Sequence, residues 1–191
     1  MRTTLFLSLI LPGILFADIE QVVVKWSPQL CQGSCIKQLG ERFGKMRGVE
    51  KVSIDQPNGV MQLKWKEKAP FSYTDLDWNM RWIGLYMTYV RVKATGTIIK
   101  KGKIYSLQSK NDNTMFELIG SANAIDPNLA VATNSVYNRP LNPSVMQQLD
   151  AAIDKKQLIS IDGPLFEPWR GPPIRIVVDQ IHIQEPKTKG K

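Results

Sequence analysis

The sequence predicts an α+β chain in which a strand-helix-strand-strand-helix-strand unit is followed by a small five-stranded β-barrel. Three observations predict it. Between residues 18 and 92, runs rich in β-branched and alternating apolar residues are separated by two amphipathic helical segments. From residue 93 to 185 short strand-like runs dominate, interrupted by one helical segment. The hydrophobic fraction of 43% and charged fraction of 22% are ordinary for a globular chain, so disorder is not the expectation.

The elements of the first unit follow in order. Ile19 to Trp26 is β-branched and strand-like, and Ser27-Pro28 breaks it. From Gln29 to about Arg47, Leu30, Ile36, Leu39, Phe43 and Met46 give a helix an apolar side, with Gly48 in the place of a C-cap. Val49 to Asp55 is a second strand, and Pro57-Asn58-Gly59 a turn. Val60 to Lys66 alternates, with Met61, Leu63 and Trp65 facing one way. Ser72 to Thr74 supplies a cap for a second helix reaching about Leu85, its buried side formed by Leu76, Met80, Ile83 and Trp82. Another strand starts at Thr88. This order is that of a ferredoxin-like βαββαβ domain, which is shared by many functions.

Three features of this unit carry a resemblance. A cysteine pair, Cys31 and Cys35, lies between the first strand and the first helix. Gly48-Val49-Glu50-Lys51-Val52-Ser53-Ile54-Asp55 follows a G-V-x-x-V-x-V-D pattern, and Gly59 opens the next strand. The segment from about Val22 to Val92 thus resembles a heavy-metal-associated domain, the module of copper chaperones, copper-pump amino-terminal domains and periplasmic mercury-binding proteins. The resemblance implies a soft-metal site at Cys31 and Cys35, with Cu(I) or another soft metal ion as its cargo. The family's pattern is C-x-x-C with a Met two positions earlier; here the spacing is C-x-x-x-C, and Gln29 stands in the Met position. In the family the loop after the second helix approaches the metal. That places Tyr86 and Met87 near it and makes Met87 a candidate auxiliary ligand, although both residues are expected in the core.

The chemistry of the pair leaves three readings open. Two thiolates suit a soft ion, and a helix amino terminus favours the thiolate. Residues four apart share a helix face with Cβ atoms roughly 5–6 Å apart, and metal–sulfur bonds of about 2.3 Å are reached if Cys31 stays in a loop. In an oxidising compartment the same pair forms a disulfide, with local distortion of a regular helical turn. The third reading is a pair of inert thiols on a fold kept as a protein-interaction platform.

In the second unit, Val90 to Lys100 is a long strand with Gly96 at a bend or bulge. Lys103 to Ser109 and Met115 to Gly120 follow, separated by Asn111-Asp112-Asn113. After an irregular stretch, Asn142-Pro143 caps a helix with Val145, Leu149, Ala152 and Ile153 on its apolar side. Gln157 to Asp162 and Ile174 to Ile183 are two further strands, linked by the Pro-rich segment from Gly163 to Pro173. Three strands, a helix and two strands is the order of an OB-fold barrel. Such barrels bind single strands with basic grooves and aromatic platforms. The candidates here are Tyr105, Phe116, Tyr137, Phe166 and Trp169, beside Lys100, Lys101, Lys103 and Arg170, with Phe116 and Phe166 expected to fill the barrel. Leu165-Phe166-Glu167-Pro168-Trp169-Arg170 is a loop suited either to recognition or to packing across the barrel end.

The amino terminus sets the compartment. Arg2, the apolar run Leu5 to Phe16 and Ala17 before Asp18 form the three parts of a signal peptide over residues 1–17, with Leu15 where a smaller residue is favoured. An uncleaved anchor is the alternative. The run is too short for a membrane-spanning helix of roughly 20 residues. The expected location is therefore exported, periplasmic or secreted. Loss of Arg2 lowers the net charge from +8 to +7, part of it in the basic tail of residues 186–191. That excess permits contact with anionic surfaces without specifying nucleic acid, which is not an expected partner. Two Cys and one His exclude a four-ligand Cys/His zinc site within one chain. His182, in an alternating strand pattern, is expected to be a packing or surface residue. No phosphate loop or nucleophile elbow occurs, and the Cys spacing does not match a thioredoxin-like enzyme. The sequence thus predicts a non-enzymatic exported protein that binds or transfers a soft metal ion through Cys31 and Cys35. The alternative is a cell-envelope interaction or assembly factor with a disulfide-bonded or degenerate pair.

Overall fold

Alternation of buried and exposed side chains builds the first sheet. β1 (Ile19–Lys25) buries Val22 and Val24, and β3 (Val60–Trp65) buries Met61, Leu63 and Trp65. β1 pairs antiparallel with β3 on one side and with β4 (Tyr89–Lys101) on the other. β2 (Val49–Asp55) pairs antiparallel with β3 at the edge. The order is β2-β3-β1-β4. The computed structural model describes residues 19–31, 33–109, 112, 114–121, 135, 136 and 139–184. The expected signal peptide, the basic tail and Tyr137 lie outside the described residues.

The helices pack against the apolar side of this sheet. α1 (Ser34–Gly44) buries Leu39 and Phe43, and α2 (Tyr73–Trp82) buries Leu76 and Met80. Both helices are shorter than the periodicity predicts. The segment from Pro28 to Leu30 is a separate 3-10 turn, and Gly33, at φ 53°, redirects the chain before α1 begins. α2 ends because Gly84 adopts φ 79°, so that the Leu85 N–H reaches the Met80 carbonyl at 3.0 Å and the Gly84 N–H the Arg81 carbonyl at 2.8 Å. The Ser72 hydroxyl accepts the Asp75 N–H at 3.1 Å and caps the other end, as expected.

Gly48 is not the C-cap of α1; Lys45 is. Its lack of a Cβ serves packing instead, because a methyl there would lie 2.7 Å from Cε2 of the Trp65 indole.

β4 continues past the first sheet and becomes a strand of the barrel. β5 (Ile104–Gln108) pairs with its far half and β6 (Met115–Ile119) with β5, both antiparallel. β8 (Ile174–Val177) joins β6 in parallel. β7 (Ile159–Phe166) closes the cylinder, pairing Leu165 and Phe166 with β8 and residues 159–164 with β4. The chain is therefore α+β, with a closed five-stranded barrel and three α-helices among the described residues. α3 (Pro143–Asp154) lies between β6 and β7, its Asn142 cap accepting the Ser144 N–H at 3.0 Å.

Two strands differ from expectation. β7 runs on through Gly163 and Pro164, and the predicted strand from Ile174 to Ile183 divides into β8 and β9 (Gln180–Ile183). The break lies at Val178 and Asp179. The Val178 N–H turns to the Ile119 carbonyl at 2.9 Å, and the Asp179 N–H to that of Asp162 at 3.2 Å. β9 then pairs with β7 outside the barrel.

One hydrophobic cluster extends through both sheets, from Leu39 and Phe43 through Met61 and Val92 to Phe116, Leu149 and Ile161. Residue 92, the expected boundary between the two units, lies inside β4. Rings bridge the units as well, with Phe71 5.6 Å from Trp65 and 5.8 Å from Phe116.

Candidate functional site

Cys31 follows the 3-10 turn in extended conformation and donates its N–H to the Pro28 carbonyl at 3.2 Å. It is therefore in the loop, outside the helix, while Cys35 is the second residue of α1. The two sulfurs are bonded to each other, with Cα atoms 5.4 Å apart. Cys31 is fully buried in the hydrophobic core (0% exposed), and Cys35 packs half-buried against it. Starting α1 after Gly33 releases Cys31 from helical geometry and removes the distortion a disulfide within a helical turn would need. No group of three His, Cys, Asp or Glu side chains converges on a metal-sized site among the described residues; a linear site requires only two sulfurs.

The loop after α2 differs from expectation. Tyr86 is 61% exposed and not a core residue. Met87 is half-buried against the core, and it lines a hollow with Tyr73, Thr88, Tyr89 and Trp169. The hollow beside Cys31 is a different one, formed by Pro28, Gln29, Gln56 and Pro57.

The barrel candidates are mostly structural. Phe116 is buried in the main core, and Phe166 packs in a smaller cluster with Ile119 and Val177. Tyr105 is buried, and its hydroxyl donates to Asp150 at 2.9 Å. Lys100 pairs with the same carboxylate at 2.7 Å, which raises the ammonium pKa and lowers that of Asp150. Lys101 and Lys103 are exposed, and Arg170 pairs with Glu167 at 3.0 Å. Trp169 alone of the described aromatic candidates is exposed. His182 is an exposed residue of β9.

Two charged networks tie the sheets together. Arg91 on β4 donates from Nε to Asp162 at 2.7 Å and from Nη1 to Asp179 at 2.6 Å. Burial opposes its charge, but these bonds and the one to the Tyr89 hydroxyl hold the guanidinium pKa above its ordinary value. Glu20 is partly desolvated, which raises its pKa. Its bonds to Lys93 (2.5 Å), Thr95 (2.7 Å) and Ser160 outweigh that and hold the carboxyl below its ordinary value.

The sequence reading missed the outward side of α2. Trp82 was expected on the buried side, yet it is 66% exposed, and Trp78 one turn earlier is 62% exposed. In a helix that buries Leu76 and Met80, positions 78 and 82 project away from the sheet. Their rings are 6.2 Å apart. The Arg42 guanidinium of α1 lies 4.9 Å from the Trp82 ring, and Arg81 lies 5.4 Å from the ring of Tyr86. A groove of about 380 Å³ runs between the helices beside Gln38, Arg42, Lys45, Asn79 and Trp82. The four-residue Trp spacing opposite Leu76 and Met80 was the available signal.

The chain matches no protein-family model, no curated protein and no solved structure.

Proposed function

We propose that this chain is a non-enzymatic, exported envelope interaction or assembly factor, built as a ferredoxin-like unit fused through β4 to an OB-like barrel. The observation that carries the reading is the bond between Cys31 and Cys35, with the Cys31 sulfur buried in the core. A sulfur in that state is a staple and not a ligand. A staple of this kind belongs in an oxidising compartment, where the signal-like amino terminus would direct the chain. The ferredoxin-like label is supported by the β2-β3-β1-β4 order with α1 and α2 as crossovers. The OB-like label is supported by the parallel β6–β8 pair and by α3 between the third and fourth barrel strands.

A second reading, capture or transfer of Cu(I) or another soft ion, is favoured by one observation. Cys31 in the loop and Cys35 in the first turn of α1 hold their Cα atoms 5.4 Å apart, so reduction leaves two sulfurs facing each other at a helix amino terminus.

One experiment separates the readings. Free thiols are counted in the unreduced protein after unfolding, and Cu(I) is then titrated anaerobically into reduced protein and into the Cys31→Ser and Cys35→Ser variants. The interaction reading expects no free thiol and no stoichiometric copper. Two free thiols with one thiol-dependent Cu(I) per chain would establish the metal reading in its place.

A further inference from the structure

We propose that the outward side of α2, carrying Trp78, Trp82 and the neighbouring Tyr86 with Arg42, Lys45 and Arg81, is a docking surface for an anionic lipid bilayer. The inference deepens the envelope reading by giving it a physical surface, and it is independent of the state of the cysteines.

Exposing large aromatic side chains has a cost in water that a folded chain ordinarily avoids by burying them. Trp78, Trp82 and Tyr86 are each more than 60% exposed, and the two indoles are in mutual contact. Trp169, 67% exposed, lies apart from them, on a 3-10 turn beside Tyr73 at the start of α2. Indole and phenol rings have an apolar body and a polar edge, and they settle at the level of lipid headgroups.

The charges match that placement. The Arg42 guanidinium lies against the Trp82 ring, where a ring entering the interface carries it to phosphate depth. Among the described residues neither Arg42 nor Lys45 is ion-paired, and the Arg42 Nε is buried without a hydrogen-bond partner. Arg81 and Asp77 pair at 2.6 Å and cancel, and Glu41, which borders the same groove, pairs with Lys37 at 3.9 Å, so the unpaired positive charge of the surface is that of Arg42 and Lys45. The chain without residues 1–17 carries +7, which draws it to an anionic leaflet.

Length decides against insertion across the bilayer. α2 has 10 residues, about 15 Å of helix, and no described helix is long and apolar enough to cross a membrane. The Trp78 and Trp82 rings project from the exposed side of α2, a geometry that a deformable surface accepts.

The test uses the full mature chain with phosphatidylcholine vesicles, with and without phosphatidylglycerol, in co-sedimentation and tryptophan-emission measurements. Binding with a blue shift is expected only with phosphatidylglycerol, and it weakens as salt rises. The Trp78→Ser/Trp82→Ser variant is expected to lose about tenfold or more in partitioning, and Lys45→Gln about fivefold. These positions are exposed, and circular dichroism confirms that the variants fold. Absence of binding to phosphatidylglycerol vesicles overturns the proposal. So does unchanged binding of the double Trp variant, which would assign the affinity to the basic tail. A concentration-dependent dimer that the Trp variant abolishes, without vesicle binding, would assign the surface to a second copy of the chain. The thiol count is unaffected by any of these results, so the two readings fail separately.

Discussion

Reducing the Cys31–Cys35 bond is expected to weaken the fold by only about 2 kcal/mol. The bond joins residues with a sequence separation of 4. A closed loop of about five residues removes chain entropy from the unfolded state worth about 2 kcal/mol at 25 °C, against about 4.7 kcal/mol for a loop of about 100 residues. Reduction leaves both sulfurs in place, so packing around buried Cys31 is retained. The Cys31→Ala/Cys35→Ala variant also loses a sulfur from a fully buried position, which adds about 1 kcal/mol for the gap. The ordering is therefore oxidised, then reduced, then double alanine, at intervals of about 2 and 1 kcal/mol. Urea unfolding of the three forms, followed by tryptophan fluorescence, measures both steps. The first corresponds to a melting shift of about 4–8 °C for a chain of this size. A reduced chain that no longer unfolds cooperatively would refute the reasoning by showing that the bond organises the core. Identical oxidised and reduced stabilities would refute it from the other side.

Further outcomes follow from the core and the networks. Phe116→Ala removes a fully buried ring that contacts Phe71 across the two units, and it should cost about 3–5 kcal/mol in urea unfolding. Glu20 has a native pKa held below its ordinary value of 4.5, so its contribution is present above that value and is lost as pH falls through the lower native pKa. Thermal melts across the acid range should show Glu20→Gln less stable at neutral pH and with a shallower acid decline. Gly163→Ala places a methyl 2.9 Å from the Val177 carbonyl carbon where the barrel closes and should destabilise by about 1–3 kcal/mol. Gly44→Ala, at the end of α1 with open space around it, should stabilise by about 0.5–1 kcal/mol in the same assay.

Local patterns carried most of the element order. Met61, Leu63 and Trp65 alternate in sequence and are buried together, and Asn142 caps α3 as its position implied. Ends and faces were less legible. Leu30 fitted the helical repeat of Ile36 and Leu39, but Gly33 takes a positive φ that no periodicity records. Trp82 is apolar like Ile83, but the angular position that buries Met80 turns it outward. The predicted last strand divides because Asp179 is held by Arg91 and by the Asp162 carbonyl, partners remote in sequence. The cysteine pair was found by type and spacing; its bonded state depended on where α1 starts. Closure of the barrel through β4 and β7 is a tertiary fact with no local signature.

β4 is 13 residues long and belongs to both sheets. A hinge needs a few residues whose dihedrals can rotate at little cost, and at this junction even Gly96 is held in the ladder opposite Ile159. Rotation between the halves would have to break the ladder from Ile19↔Ala94 on one flank to Gly96↔Ile159 on the other. The two halves are therefore held to one another along a single continuous strand, paired with β1 on one flank and with β7 on the other.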